Sequence, residues 1–220
     1  LEQKRNGRIK HLGFSCHCDL DGMKQYMEMF GEHMEFCQIQ LNYLDYTFQQ
    51  AKEKLALLAE YNIPVWVMEP VRGGSLQKLN DEAKEVFKKL SDNSPASYAL
   101  RFVAQLPNVL TTLSGMSTYE QVEDNINTFN ECKPLSDEEM KAIEEANILF
   151  RKNFAIPCTA CKYCVTECPK GIDIPSCFAS FNEYNKTREI EDLNKTYLLI
   201  PEEKRAHNCI DCKKCMEHCP

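Results

Sequence analysis

Two cysteine runs near the carboxyl end of this chain constrain its structure more than any other feature. The first extends from Cys158 to Pro169 and the second from Cys209 to Pro220, and each reads C-x2-C-x2-C-x3-C-P. Proteins use this spacing to hold [4Fe–4S] clusters, and in two-cluster domains the fourth cysteine of a run ligates the other cluster. The two runs therefore predict two [4Fe–4S] clusters.

The spacing also predicts which thiolates share a cluster. Three cysteines at positions i, i+3 and i+6 of a tightly looping chain can converge on three corners of one iron–sulfur cube. The fourth precedes a proline that fixes its turn and directs it elsewhere. These considerations assign one cluster to Cys158, Cys161, Cys164 and Cys219, and the other to Cys168, Cys209, Cys212 and Cys215.

Structural zinc is the main alternative for these cysteines. Zinc sites typically use two C-x2-C pairs separated by a longer loop and need only four sulfurs per ion. Two complete four-cysteine runs, each ending in Cys-Pro, favour iron–sulfur clusters over zinc, and disulfides are less favoured still.

Composition divides the chain of 220 residues into two parts. Nine of its thirteen cysteines follow residue 157, which leaves a cysteine-poor part before them. The later part has low apolar content and is expected to need inorganic cross-links to fold. We predict two domains, residues 1–150 and residues 151–220.

The sequence also disfavours several locations and partners. It opens without a signal peptide and contains no apolar run of the roughly 20 residues that span a bilayer, so we expect a cytoplasmic protein without a membrane partner. The formal net charge of −7 argues against nucleic acid as a partner. Because the chain starts at Leu1 and stops at Pro220, on the last residue of a cysteine run, we expect a fragment.

The first 150 residues alternate short apolar runs with amphipathic ones. Strands are predicted at 9–16, 36–41, 64–69 and 109–114, and helices near 20–31, 47–61, 81–91, 95–106, 119–130 and 136–150. This βα order indicates parallel strands covered by helices, in either an open doubly wound sheet or part of a (β/α)8 barrel. Helix starts are indicated by Ser94 before Pro95 and by capping boxes of Thr118 with Gln121 and Ser136 with Glu139.

Residues 151–220 read as cysteine loops and helices without strands. Helices are predicted over 175–188 and 191–199, with Phe178, Phe181 and Tyr184 forming an apolar core stripe. This pattern is typical of the helical type of two-cluster ferredoxin domain.

Several residues that suggest chemistry receive a structural interpretation. Cys16 and Cys18 flank His17 but lack further ligands, so metal binding there is disfavoured. The remaining isolated cysteines and the methionines near the first helix are expected in the core; they are Cys37, Cys132, Cys177, Met23, Met27, Met29 and Met34.

Standard nucleotide-loop and hydrolase motifs are lacking in the sequence, but five of its segments resemble a known family. IKHLGFSCH, FCQIQLNYLDY, IPVWVMEPVRGGSL, SPASYALRFV and VLTTLSGMSTYEQVEDNI resemble, in order, the C-terminal half of the aldo/keto reductase family. The likeness is greatest to the bacterial subgroup that carries a two-cluster [4Fe–4S] domain after the barrel. It implies the last four βα units of a TIM barrel. The family's catalytic residues lie on the other half, so no catalytic residue is assigned here.

The resemblance also implies a nicotinamide nucleotide site. Ser15 and Gln38 match the residues that hydrogen-bond the nicotinamide carboxamide. The loop along the pyrophosphate is matched by Arg72, Gly73 and Gly74. The adenosine end is matched by Ser114, Gly115, Gln121 and Asn125. Because many relatives have a basic residue at the position of Gln121, the neutral side chain implies weaker NADP selectivity and a preference for NADH.

Each of these matches has a plainer alternative. Ser15 and Gln38 could be a strand-end hydroxyl and a satisfied buried amide. Arg72 could be a solvated arginine in a turn, and Gln121 could only complete its capping box.

The resulting expectation is the C-terminal part of an iron–sulfur aldo/keto reductase-like oxidoreductase. It would act on a small-molecule carbonyl or alcohol with NAD(P)H and exchange electrons with an unidentified partner. Hydride carries two electrons and a cluster one, so coupling them would need a flavin, for which no motif is evident. The alternatives are an electron-transfer or structural module on an inactive barrel and, less favoured, a zinc-stapled interaction domain.

Overall fold

A computed structural model describes residues 1–152, 155–158, 160–217 and 219, without the side chains of residues 48, 186 and 187. The chain forms two compact units, Leu1–Asn147 and Ile148–Pro220. In the described residues no helix is long and apolar enough to cross a membrane.

The first unit is built on one parallel sheet. Its strands are β1 (Gly13–Cys16), β2 (Phe36–Gln40), β3 (Val65–Met68) and β4 (Val109–Thr112), and they lie side by side in the order β1-β2-β3-β4. A sequential order is that of consecutive strands in a (β/α)8 barrel, whereas a doubly wound sheet reverses its order at a switch point. The sheet is therefore part of a barrel.

Helices follow the strands much as predicted. They are α1 (Glu2–Arg5), α2 (Leu20–Phe30), α3 (Asp45–Phe48), α4 (Ala51–Glu60), α5 (Asp81–Lys88), α6 (Pro95–Ala104), α7 (Tyr119–Asn130) and α8 (Asp137–Arg151). The prediction of one helix over 47–61 was wrong, because Gln50 has a left-handed backbone (φ 53°) that separates α3 from α4. The strand predicted from residue 9 begins only at Gly13, where β1 first pairs with Phe36 of β2.

Side-chain caps fix where the helices begin. Ser94 accepts a hydrogen bond from the N–H of Ser97 at 3.0 Å, as predicted for a cap before proline. Ser136 and Glu139 form a reciprocal capping box, with bonds of 3.2 and 2.8 Å. The box predicted at Thr118 is altered, because the Gln121 side chain accepts from the N–H of Ser117 at 2.7 Å instead of from Thr118.

The core of the first unit lies on one face of the sheet. Cys37, Ile39, Val65 and Val67 alternate along β2 and β3 and are fully buried against the helices. Of the four methionines predicted in the core, Met23 and Met27 are buried and Met34 is half-buried. Met29 is 65% exposed, so that prediction was wrong.

The described residues of the second unit form helices and loops without strands. Its helices are α9 (Tyr163–Thr166), α10 (Ile174–Thr187), α11 (Ile190–Tyr197) and α12 (Lys214–Glu217), with 3-10 turns at Glu202–Lys204 and Ala206–Asn208. Ile172, Cys177 and Ile200 form its small core. The predicted aromatic core stripe was wrong in part, because Phe181 is 41% exposed.

Candidate functional site

The two cysteine runs repeat the same backbone conformation. In the first run Ala160 and Lys162 have left-handed φ angles of 57° and 66°, and in the second Asp211 and Lys213 have 54° and 62°. A short helix follows in each case, α9 after Lys162 and α12 after Lys213. Left-handed backbone is unusual outside glycine, so its recurrence at matching positions indicates two copies of one loop conformation.

This conformation aims a backbone amide at the first sulfur of each run. The N–H of Ala160 lies 3.4 Å from Cys158 Sγ, and the N–H of Asp211 lies 3.4 Å from Cys209 Sγ. Hydrogen bonds to sulfur stabilise thiolate charge and are one of the determinants of iron–sulfur reduction potentials.

The thiols predicted to hold one cluster come from both cysteine runs; this first set consists of Cys158, Cys161, Cys164 and Cys219. Burial, together with the nearby thiols of Cys158, Cys161 and Cys219, raises the pKa of Cys164 to about 11. The pKa of Cys219 is likewise raised by burial and then by Cys161, Cys158 and Cys215. The last cysteine of the second run therefore lies near the first three cysteines of the first run.

The second set of thiols lines a cavity of about 200 Å³. Its sulfur-bearing residues are Cys168, Cys209, Cys212 and Cys215, and Cys177 also contributes to the lining. Apolar side chains such as Ile172 and Ile174 form much of the rest of the wall. Its volume is several times the roughly 30 Å³ that one water molecule occupies, so the cavity has room for more than one ion.

The donor chemistry of both sets suits iron–sulfur clusters. Thiolates are soft ligands that favour iron–sulfur clusters, zinc or Cu(I). Metal binding requires the thiols to lose their protons, and the metal then offsets the repulsion between the neighbouring thiolates. Within the described residues, no three His, Cys, Asp or Glu side chains form a group that could hold a single metal ion.

A second cavity, of about 500 Å³, lies in the first unit beyond the carboxyl ends of β3 and β4. Barrel enzymes build their sites at this end of the strands. Six of the residues predicted to contact a nucleotide line this cavity; they are Gly73, Gly74, Ser114, Gly115, Gln121 and Asn125.

The lining loops are fixed by local geometry. Gly73 and Gly74 have left-handed φ angles of 60° and 84°, which favour glycine at both positions. Asn125 of α7 donates its side-chain N–H to Ser114 Oγ at 2.8 Å and so ties the helix to the loop after β4.

Carboxylates are the charged groups of this cavity. Glu69, Glu120 and Asp124 are the only charged residues among its described lining residues. Asp124 accepts a hydrogen bond from the Ser94 hydroxyl at 2.6 Å. These carboxylates were not predicted from the sequence, although Glu120 and Asp124 are spaced i, i+4 beside Gln121 and Asn125 on α7.

Arg72 lies outside the lining of this cavity. Its guanidinium Nε donates to both carboxylate oxygens of Asp45 at 3.2 Å, and both side chains are buried. Asp45 also accepts from the side chains of Gln40 and Asn42, each at 2.7 Å. The alternative of a solvated arginine was therefore wrong, because the Arg72 side chain is buried against Asp45.

Ser15 and Gln38 are neighbours across the strands β1 and β2. They are register partners and so project from the same face of the sheet. Ser15 is exposed and its hydroxyl lies 3.1 Å from His17 Nε2, while the Gln38 side-chain N–H points at Met68 Sδ at 3.4 Å. Neither residue lines the 500 Å³ cavity.

Comparisons with known proteins agree with this architecture. A model of the aldo/keto reductase family matches residues 1–148, and a model of the 4Fe-4S dicluster domain matches residues 157–220. No curated protein matches the chain.

Solved structures of aldo-keto reductases share the fold. The holo form of one from Bacillus halodurans is 25% identical with a TM-score of 0.53, and 66% of this chain aligns with 52% of that one. A Klebsiella pneumoniae enzyme, solved with NADP and acetate, is 19% identical with a TM-score of 0.52, covering 66% of this chain and 50% of that one. The chain thus spans about half the length of these structures.

The family match covers more than half of the chain, and the sequential parallel sheet with its helices agrees with it. The predicted resemblance and the predicted fold are both confirmed. The chain belongs to the aldo/keto reductase family and carries a 4Fe-4S dicluster domain after its barrel strands.

Proposed function

We propose that this iron–sulfur oxidoreductase binds two [4Fe–4S] clusters and uses them for electron transfer. The observation that carries the proposal is the exchange of the fourth cysteines, which brings Cys219 to the first run and Cys168 to the second. Two interlocked sets of four thiols are the ligands that a pair of cubes requires. Such clusters accept and donate single electrons.

The residues around both sets of thiols favour cluster binding. The amides of Ala160 and Asp211 stabilise the charge of the first thiolate in each run. The wall of the cavity around Cys168 is largely apolar, and hydrogen bonds to sulfur are among the features that tune a cluster. Free thiolate ligands are compatible with a reducing compartment, and we place the protein in the cytoplasm.

We further propose that the barrel of the complete protein uses a nicotinamide nucleotide to reduce a small carbonyl compound or to oxidise an alcohol. The adenosine end would lie against α7, where Gln121 and Asn125 offer amides and Asp124 offers a carboxylate. Carboxylates suit the ribose hydroxyls and repel a 2′-phosphate, so NADH is favoured over NADPH. Ser15 and Gln38, which are register partners on β1 and β2, would hold the carboxamide.

A second function is supported by one specific observation. Arg72 is buried against Asp45, and the charged residues of the described cavity lining are all acidic. Both features disfavour binding of the diphosphate of a nucleotide in this cavity. They favour a barrel without reductase chemistry that carries the clusters as an electron-transfer or structural module.

The first test is the metal content of anaerobically prepared protein. Iron, acid-labile sulfide and zinc are measured per chain, together with the visible absorption before and after dithionite. We expect about eight iron and about eight sulfide, with absorption that bleaches on reduction. Zinc without sulfide would overturn the proposal in favour of a zinc-stapled domain, whereas NADH binding and turnover by the complete protein separate the active barrel from the inactive one.

A further inference from the structure

Two thiols outside the cysteine runs lie in contact at the end of β1. Cys16 Sγ is 3.4 Å from Cys18 Sγ, and both are free. Cys16 is the last residue of the strand, and the chain bends at Cys18 just before Asp19 caps α2. The bend folds the two side chains towards each other, although residues i and i+2 of a straight strand have their side chains well separated.

The two thiols differ in accessibility. Cys16 is 5% exposed, and burial together with the neighbouring Cys18 raises its pKa to about 12. Cys18 is exposed, and its sulfur lies against Gly22, where an added Cβ would be 3.3 Å away. A reagent in solution therefore reaches Cys18 first, and Cys16 is placed to attack whatever forms there.

We propose that Cys16 and Cys18 form a redox-active dithiol that is oxidised to an intramolecular disulfide by exchange with a low-molecular-weight disulfide. The thiolate of Cys18 attacks one sulfur of that disulfide, and the first thiol leaves. Cys16 then gives up its proton, attacks Cys18 Sγ and expels the second thiol. Two electrons and two protons pass from the pair to the external disulfide, which is released as two thiols.

The geometry requires only a local movement. The sulfurs must close from 3.4 Å to about 2.0 Å. Cys18 lies in a bend outside the ladder of β1, so its side chain can rotate without breaking strand pairing. Such a reversible pair suits a reducing compartment, where disulfides are usually transient and redox-sensing or catalytic.

Cys37 provides an internal contrast. It lies in the middle of the sheet with no exposed surface, and burial raises its pKa far above the ordinary value. It faces the same side of the sheet as Cys16, but an external disulfide cannot reach either thiol directly. We therefore expect Cys37 to stay reduced.

The test uses the full chain under anaerobic conditions in buffers of oxidised and reduced glutathione. Samples are quenched in acid, unfolded, alkylated with iodoacetamide and digested with trypsin. Residues 11–24 form one tryptic peptide that contains Cys16 and Cys18 and no other cysteine. We expect this peptide two hydrogens lighter and unalkylated after oxidation, and doubly alkylated after dithiothreitol treatment.

Variants identify the role of each thiol. Cys16→Ser is expected to trap glutathione on Cys18, whereas Cys18→Ser is expected to leave Cys16 a free thiol. Cys132→Ser removes another exposed thiol of the same unit and is expected to leave the disulfide unchanged. We expect the disulfide to form in the native chain at a ratio of oxidised to reduced glutathione about tenfold lower than in the urea-unfolded chain, because the fold holds the two sulfurs together.

Three results would overturn the proposal. The first is a peptide 11–24 that stays a dithiol while Cys132 takes up glutathione. The second is a link from that peptide to residues 25–52, which contain Cys37. The third is a disulfide that forms equally well in the unfolded chain. Should Cys16→Ser fail to fold, the parent protein and Cys18→Ser, whose changed side chain is exposed, decide the question.

Discussion

Arg72 and Asp45 form a buried ion pair in which one guanidinium nitrogen donates to both carboxylate oxygens at 3.2 Å. The pair joins the loop after β3 to the start of α3, and Arg72 holds a left-handed backbone there (φ 52°). The loop that was predicted to bind pyrophosphate is thus held in shape by a charge contact within the protein.

Removal of one partner of this ion pair should lower the free energy of unfolding. Asp45→Ala leaves a buried guanidinium without its carboxylate, and we expect a loss of about 3–5 kcal/mol in unfolding free energy. Urea unfolding followed by circular dichroism measures it. Glu85→Ala removes an exposed i, i+3 partner of Lys88 and serves as the control, with little expected change. Equal effects of the two substitutions would contradict the assigned role of the buried pair.

Paired cysteine substitutions test how the thiols are sorted. Cys168→Ser with Cys215→Ser damages one set only, and the protein should keep about four of about eight iron atoms. Cys164→Ser with Cys215→Ser damages both sets and should leave almost none. The two variants carry the same number of substitutions, so iron per chain compares them directly. Equal iron in both would refute the sorting.

The left-handed residues of the cysteine loops should tolerate glycine and reject branched side chains. At Asp211 (φ 54°) we expect Asp211→Gly to retain iron, because glycine adopts this conformation without strain. We expect Asp211→Val to cost about 1–3 kcal/mol and to lower iron retention during dialysis. Similar iron loss in both variants would instead point to the Asp211 carboxylate.

The Arg101–Glu139 pair should contribute a pH-dependent part of stability. The hydrogen bond from Arg101 holds the pKa of Glu139 below its ordinary value of 4.5. A depressed folded-state pKa means that the stabilisation is present above pH 4.5 and is lost as the pH falls through the folded value. Glu139→Gln should therefore lower stability near neutrality and flatten its pH dependence below about pH 5. An unchanged pH profile in urea unfolding would exclude this role.

At the proposed nucleotide site, one substitution on α7 should change the preference between NADPH and NADH. We expect Gln121→Arg to raise the affinity for NADPH about tenfold relative to NADH, because a guanidinium at this cavity would pair with the 2′-phosphate. Glu123→Arg adds the same side chain at an exposed position of α7 that does not line the cavity. Fluorescence titration of both variants should show the shift only for Gln121→Arg.

Much of the fold could be predicted from local signals. Short apolar runs located β2 and β3, and caps such as Ser94 indicated helix starts, because both signals depend on neighbours a few residues away. The break at Gln50 was missed because no glycine or proline indicates it. Cys132 was predicted in the core but is exposed, since a lone cysteine carries no periodic signal.

Among the candidate site residues, too, only those with a local sequence signal could be predicted. Cysteine spacing indicates ligands by itself, whereas the partner of Arg72 lies on another loop and could be found only from the folded chain. The acidic lining of the 500 Å³ cavity was missed for a similar reason, because Glu69 and Asp124 reach it from different elements.

The exchange of fourth cysteines also bears on how the second unit assembles. Cys168 and Cys219 each stand with the opposite run, so occupied ligand sets would clamp residues 169–208, including α10 and α11, into a loop closed at both ends. Closing such a loop removes chain entropy from the unfolded ensemble, and metal affinity becomes folding free energy. If the fourth cysteines ligate as proposed, neither run completes its set until the helices between them have turned the chain back. We therefore expect cluster insertion and folding of this unit to be one cooperative event.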